Sequence, residues 1–453
     1  MKIGIIDADL LGRSKHRFPN LVCEKISSYH KDLGDEVTLL RDYDHIDEYD
    51  EVYISKVFTD TPVPDWISKN VDMDTGKVTL PEKYHVGGTG FFFAHAPNLP
   101  EEIEHHMPDY DLYNEWIEEE VERARAIHDK KEELKYQKFL DEESDNKVIY
   151  NKKPFNERNY RIQFKEYTDY SIGFITRGCF RKCPFCVNQK YDHVFLHSPL
   201  SEFHDPKRKK ICLLDDNVLG CGHWKDILNE LIATGKPFRF KQGMDERLLT
   251  DEKCKMLFNA NYDGDYIFAF DNVEDYDLIE KKLQLIRKYS PTASVKFYVL
   301  VGFRSTDHED IENMWKRVKL LMEYQCLPYI MRYQNKNETP WKDSKYRGLY
   351  VNMARWCNQP CFYKKKSFRE FCEANQANVK TEGKICAALQ SMRDFEAEHP
   401  EIAKEYFDLR YDQVSVIEEL KEIKKKERTS NNNPRDFKFE LTMDLLKEQA
   451  AIV

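Results

Sequence analysis

Short apolar runs separated by amphipathic stretches recur along most of this chain, and that alternation constrains its fold more than any other feature. KIGIID, EVTLL and EVYIS, at 2–7, 36–40 and 51–55, have strand composition. NLVCEKISSYHKDLG, between the first two, reads as a helix stopped by Gly34. Strand, helix, strand with short links implies a parallel, doubly wound sheet over residues 1–100. From 101 to 167 the composition turns charged and strand-poor, and EWIEEEVERARAIHDKKEELKYQKFLDEESDN reads as a solvated helix and linker. The strand pattern then resumes in YSIGFITRG, KKICLLDD, PFRFKQG, DYIFAFD and VKFYVLVG, with WKDILNELIATG, DEKCKMLFNAN and DLIEKKLQLIRKY between them. Repeated βα over 168–345 closes most naturally as a partial (β/α) barrel of TIM type. Over 346–453 helices dominate, through RGLYVNMARW, SFREFCEANQ and PEIAKEYFDL, and KEIKKKERTSNNNPRD reads as a linker to a last short helix. The expected class is therefore α/β in three parts, ending in a helical C-terminal extension.

A chain of 453 residues is long enough for two or three cores. No apolar run approaches the length of a bilayer span, and MKIGIIDADL runs into a strand pattern without a signal-peptide profile, so a cytoplasmic protein with no membrane partner is expected. A net charge of −10 gives no global attraction for nucleic acid. Twelve cysteines in a reducing compartment point to metal or to buried packing rather than disulfides. Cys23, Cys212 and Cys326 sit in apolar stretches and read as core.

The strongest chemical signal is GFITRGCFRKCPFCVNQKY. Cys179, Cys183 and Cys186 follow a strand directly, in a loop opened by Gly178. Such a loop can give three thiolates to three irons of a [4Fe-4S] cubane and leave the fourth iron open, since full ligation takes four cysteines. The competing reading is a zinc knuckle or a buried thiol group, although zinc normally needs a fourth Cys or His.

The C-x3-C-x2-C spacing, with aromatic Phe185 before the last cysteine, resembles the signature of the radical S-adenosylmethionine superfamily, over about residues 168–345. The resemblance implies an enzyme whose open iron chelates S-adenosylmethionine, whose cluster is reduced by a donor such as flavodoxin or ferredoxin, and whose product is a 5′-deoxyadenosyl radical. It also implies roles at further strand ends. Asp215, Asp216 and Asn217 stand where the family holds the methionyl amine, the other reading being an Asp/Asn turn with a helix cap. Gln242, Arg247 and Asp271 are candidates for ribose, carboxylate or substrate, and Gly302 for close approach to adenine.

Asp7-Ala8-Asp9-Leu10-Leu11-Gly12, Ser55-Lys56-Val57 and Gly87-Gly88 resemble, in order and spacing, the Rossmann-like cobalamin-binding domain that precedes many such barrels. Asp9 stands where that family has the histidine that ligates cobalt. The domain then binds cobalamin without a protein ligand, binds another ligand, or is a scaffold. His105 and His106 are adjacent and read as surface or cleft residues. Cys357, Cys361, Cys372 and Cys386 invite an auxiliary cluster, but Cys372 and Cys386 read as helical core. Basic patches at HDPKRKK, FYKKKSFR and EIKKKER leave a phosphate-bearing or RNA substrate open. The expected function is radical modification of an unidentified substrate. The alternatives are a cobalamin-dependent radical methyltransferase and a non-catalytic metal-cluster module that binds nucleic acid.

Overall fold

Five of the six residues of KIGIID are buried, and this strand, β1 (Lys2–Asp7), organises the first sheet. It pairs in parallel with β2 (Glu36–Leu39) and β3 (Glu51–Ser55), and β3 pairs in parallel with β4 (Tyr84–Gly87), giving the order β2-β1-β3-β4. Between β1 and β2 runs the helix Leu21–Asp32, whose N-terminus is capped by the Asn20 side chain accepting from the Val22 and Cys23 amides. Gly34, at φ +82°, turns the chain out of it. The computed structural model describes residues 1–142, 150–188, 190–334 and 338–417. KEIKKKERTSNNNPRD, the short helix expected after it, and residues 143–149 within the charged linker lie outside them.

The helix Asn114–Glu142 differs from the solvated element expected. Its first turns bury Trp116, Ile117 and Val121 with Tyr113 against Ile3, Ile5, Cys23 and Ile26. The reason is visible in the spacing: 113, 116, 117 and 121 make a narrow apolar stripe inside a heavily charged stretch. A second cluster, including Ile6, Val52, Ile54 and Phe91, completes the core of this sheet.

Further along the same unit, β5 (Tyr170–Gly173) leads to a short antiparallel pair, β6 (Thr176–Arg177) and β7 (Phe195–Leu196), that carries the cysteine loop. YSIGFITRG is thus two strands rather than one. β8 (Lys210–Leu213) lies between β5 and β9 (Phe238–Phe240) in a three-stranded parallel sheet. The chain divides into two compact units, Met1–Gln242 and the part from Gly243 onward.

In the second unit β10 (Tyr266–Ala269), β11 (Val295–Val301) and β12 (Leu327–Arg332) pair in parallel in that order. β11 alternates strictly between buried and half-buried residues. The helices Arg347–Cys357, Phe368–Ala377, Ala387–Glu398 and Pro400–Tyr406 follow, and Trp315 packs against Trp356, Phe368 and Tyr406 among them. The fold is mixed α/β with parallel sheets and a helical C-terminal region. Among the described residues no helix is long and apolar enough to cross a membrane.

Asp7, at the end of β1, is 1% exposed and accepts from the Asp9 and Leu10 amides and the Tyr113 hydroxyl. Burial pushes its pKa up to about 7, and likewise pushes Asp215 to about 6 and Glu246 to about 8. A carboxyl whose pKa is higher folded than unfolded favours the fold in its protonated form. Its contribution is complete below about pH 4 and is lost as pH rises through the folded value. The urea midpoint should therefore be higher at pH 5.5 than at pH 8, and Asp7→Asn should narrow that difference. An unchanged difference in the variant would exclude Asp7 as a source.

Candidate functional site

The cysteine loop leaves β6 through Gly178, whose φ of +87° favours glycine. A Cβ there would collide with the His193 carbonyl and stand 2.9 Å from the Tyr191 Cβ. Lys182, just before the second cysteine, is left-handed at φ +47°. The Cys186 amide bonds the Cys183 carbonyl at 3.0 Å, which puts these two cysteines on one turn. All three cysteines are half-buried and outside any disulfide, and Phe185 between the last two is half-buried too. Backbone N–H groups of Arg181 and Asn188 approach the Cys179 and Cys186 sulfurs at 3.5 and 3.4 Å.

The tripeptide after β8 holds this loop in place. Asp215, 3% exposed, accepts from the Thr176 amide and hydroxyl, both at 2.6 Å, and from the Ile175 amide at 3.3 Å. Asp216 accepts from the Gly178 amide at 3.0 Å, and burial raises its pKa. Asn217, 2% exposed, points its Nδ2 at the Cys179 sulfur, 3.5 Å away, while its Oδ1 is buried with no hydrogen-bond partner. The structure thus brings Asp215, Asp216 and Asn217 to the cysteine loop. The two carboxylates brace its backbone, and the unpaired acceptor belongs to Asn217.

A polar cluster that the sequence did not reveal lies beneath the loop. Glu104 accepts from Lys25 Nζ at 3.0 Å and from the Arg177 guanidinium at 3.1 Å, with His197 Nε2 at 3.6 Å. Arg177 also lies 3.7 Å over the Phe174 ring. Burial, then Arg177, lowers His197 to about 4. His105 bonds Glu202 and stacks on His197, whereas His106 bonds Asp32, so the adjacent histidines part.

Gln242 is exposed. In the second unit, Arg247 is committed to Asp245 and Asp275, at 2.7 and 3.3 Å. Asp271 accepts from the Leu300 amide at 3.1 Å and so fixes β10 to β11. Gly302, at φ +71°, donates its amide to Asp310.

In the first sheet Asp9 is 1% exposed and turned inward. It accepts from the Val57 amide at 2.6 Å, the Phe58 amide at 3.4 Å and the Thr61 hydroxyl. A Cβ on Gly88 would collide with the Lys56 carbonyl, so this glycine serves chain against chain.

Cys23, Cys212 and Cys326 are buried. Among the C-terminal cysteines, Cys357 and Cys372 are buried in helices and Cys361 is exposed. Cys386 differs from the helical residue expected: its sulfur accepts the Leu389 amide and caps the helix that follows. Burial pushes the Cys372 thiol up to about 12. Of the basic patches, HDPKRKK directs Arg208 to the Tyr167 and Tyr110 carbonyls, and FYKKKSFR directs Arg369 to Glu396 and Asp408. EIKKKER lies outside the described residues. Among the described residues no three of His, Cys, Asp and Glu converge as ligands of one metal ion.

No protein-family profile matches this chain, and no curated protein sequence matches it. Five chains of solved structures match. One is SuiB of Streptococcus suis, 12% identical over 68% of this chain and 69% of that one, with a TM-score of 0.31. At that score the likeness adds nothing to the description above.

Asp9→His should destabilise the protein by about 1–3 kcal/mol, because imidazole offers at most one acceptor to the Val57, Phe58 and Thr61 donors that the buried carboxylate now satisfies. Urea unfolding measures this. An unchanged midpoint would show that the inward bonds of Asp9 do not matter to the fold.

Proposed function

We propose that this protein is a radical S-adenosylmethionine enzyme whose [4Fe-4S] cluster is held by Cys179, Cys183 and Cys186. One observation carries the reading: a loop of three thiols beside a buried amide whose Oδ1 lacks a partner. A cubane takes one thiolate per iron, so its ligands need not converge as those of a single ion do. The residues also suit the second group. Asn217 Oδ1 is an acceptor left open for an ammonium donor, while its Nδ2 faces Cys179. When bound, the two groups together would supply one-electron cleavage of the sulfonium to methionine and a 5′-deoxyadenosyl radical. The chain's own part is positional. Asp215 and Asp216 hold the loop against the sheet, and the Arg181 and Asn188 amides face the Cys179 and Cys186 sulfurs.

The finer fold expectations belong to this reading: a Rossmann-like first domain and a partial (β/α) barrel. The order β2-β1-β3-β4 supports the former, with its reversal at β1. Cobalamin does not fit as a ligated cofactor in that domain. Asp9 spends its oxygens on Val57, Phe58 and Thr61, and Gly88 lies against Lys56. The domain is read as scaffold, and no step is assigned to cobalamin.

Protein reconstituted without oxygen should carry about four irons, and replacing Cys179, Cys183 and Cys186 together with Ala should remove them. Reduction in the presence of S-adenosylmethionine should yield 5′-deoxyadenosine and methionine, with little S-adenosylhomocysteine. Dominant, cobalamin-dependent S-adenosylhomocysteine would make this a methyltransferase. Formation of neither product in a cluster-loaded sample would end the catalytic reading. Asn217→Ala should keep its iron yet bind S-adenosylmethionine about tenfold more weakly, the scale of one charge-assisted hydrogen bond. Unchanged affinity would remove Asn217 from the site.

A further inference from the structure

Arg332 closes β12, in register with Val301 at the end of β11. Its guanidinium carbon lies 4.3 Å from the centre of the Trp341 ring. The other half-buried arginines of this unit face acids: Arg247 meets Asp245, Arg369 meets Glu396, and Arg410 meets Glu370. Arg332 meets none. Among the described residues no carboxylate or carbonyl accepts from it, and the only charge effect on it comes from Tyr329. Burial accordingly lowers its pKa.

Trp341 repeats the pattern. It is 6% exposed, its Cβ packs 3.1 Å from where a Gly302 Cβ would stand, and its buried indole N–H has no acceptor. A half-buried cation without a counterion and a buried donor without an acceptor are each unfavourable. Here the two are stacked on one another at the C-terminal ends of parallel strands, where α/β folds place their ligands. The exposed Lys342 Nζ adds a second positive charge 5.8 Å from the same ring.

We infer that Arg332 and Trp341 form a phosphate-recognition site that takes the phosphate of a phosphomonoester. The guanidinium fork and the indole N–H give donors for separate oxygens. A dianion matches two cations with no carboxylate near Arg332, whereas a carboxylate or a phosphodiester offers a single charge. The inference goes beyond the radical reading, because none of these residues belongs to the cysteine loop.

The test is calorimetric titration of the full-length protein with inorganic phosphate, without and with a reconstituted cluster. One site per chain is expected, weakened about tenfold or more in Arg332→Met and in part recovered in Arg332→Lys, which keeps the charge but loses the fork. Trp341→Phe keeps the packing against Gly302 and should also weaken binding, with an unchanged circular dichroism spectrum. Absence of saturable binding at millimolar phosphate would overturn the site, as would undiminished binding by Arg332→Met. Acetate binding as tightly as phosphate would overturn the ligand class. Competition by S-adenosylmethionine would reassign Arg332 to the cofactor's carboxylate and equally overturn the proposal.

Discussion

The Asp215 carboxylate is the interaction on which the candidate site depends. Amides that a sheet ladder leaves unbonded must find acceptors elsewhere. Asp215 supplies them at the point where YSIGFITRG breaks, taking the Ile175 amide and both donors of Thr176. Burying a carboxylate is unfavourable unless its oxygens are filled, and here they are filled by the segment that must be held. The next two residues continue the same task. Asp216 fixes Gly178, and Asn217 reaches Cys179 itself. Three consecutive side chains at one strand end thus set the start of the loop.

The first sheet uses inward carboxylates in the same way. Asp7 caps the turn after β1, and Asp9 gathers the segment after β3. The residues that resemble a cofactor motif are the ones that hold these loops together. A motif of small and acidic residues at strand ends is therefore compatible with packing alone. What separates the two uses is whether a polar atom is left unpaired: the oxygens of Asp9 are paired, whereas Asn217 Oδ1 is not.

Most strands were legible in the sequence because their apolar runs are short and bounded by turn residues. β12 was not, since Pro328 interrupts LPYIMR, and proline is tolerated there because β12 is the last strand of its sheet. The apolar stripe of Asn114–Glu142 was hidden by the surrounding charge. The cysteine loop was legible from spacing alone. Its support was only half legible: Asp215, Asp216 and Asn217 stood out as a polar strand end, but which of them braces the backbone depends on side-chain direction. Glu104 gave no local signal, because its contact with Arg177 joins residues 73 apart in sequence. Arg332 and Trp341 carry no motif, since what marks them is the absence of a partner.

Glu104 also shows why the first sheet cannot be considered apart from the loop. Lys25 comes from the helix between β1 and β2, Arg177 immediately precedes Gly178, and Glu104 bonds both. The Arg177 charge in turn offsets part of the rise that burial gives the pKa of Asp216, which receives the Gly178 amide. Positive, negative, positive and negative groups therefore alternate from the helix Leu21–Asp32 to the residue before Cys179. Each member is partly buried, so each relies on its neighbour for the solvation that water would otherwise give. Removing Glu104 would leave two cations facing one another beneath the loop, and their repulsion would act first on Arg177, within two residues of a candidate ligand. The geometry of the three thiols is thus set from two sides, by the strand end that carries Asp215 and by a helix whose Lys25 lies some 150 residues earlier in the chain.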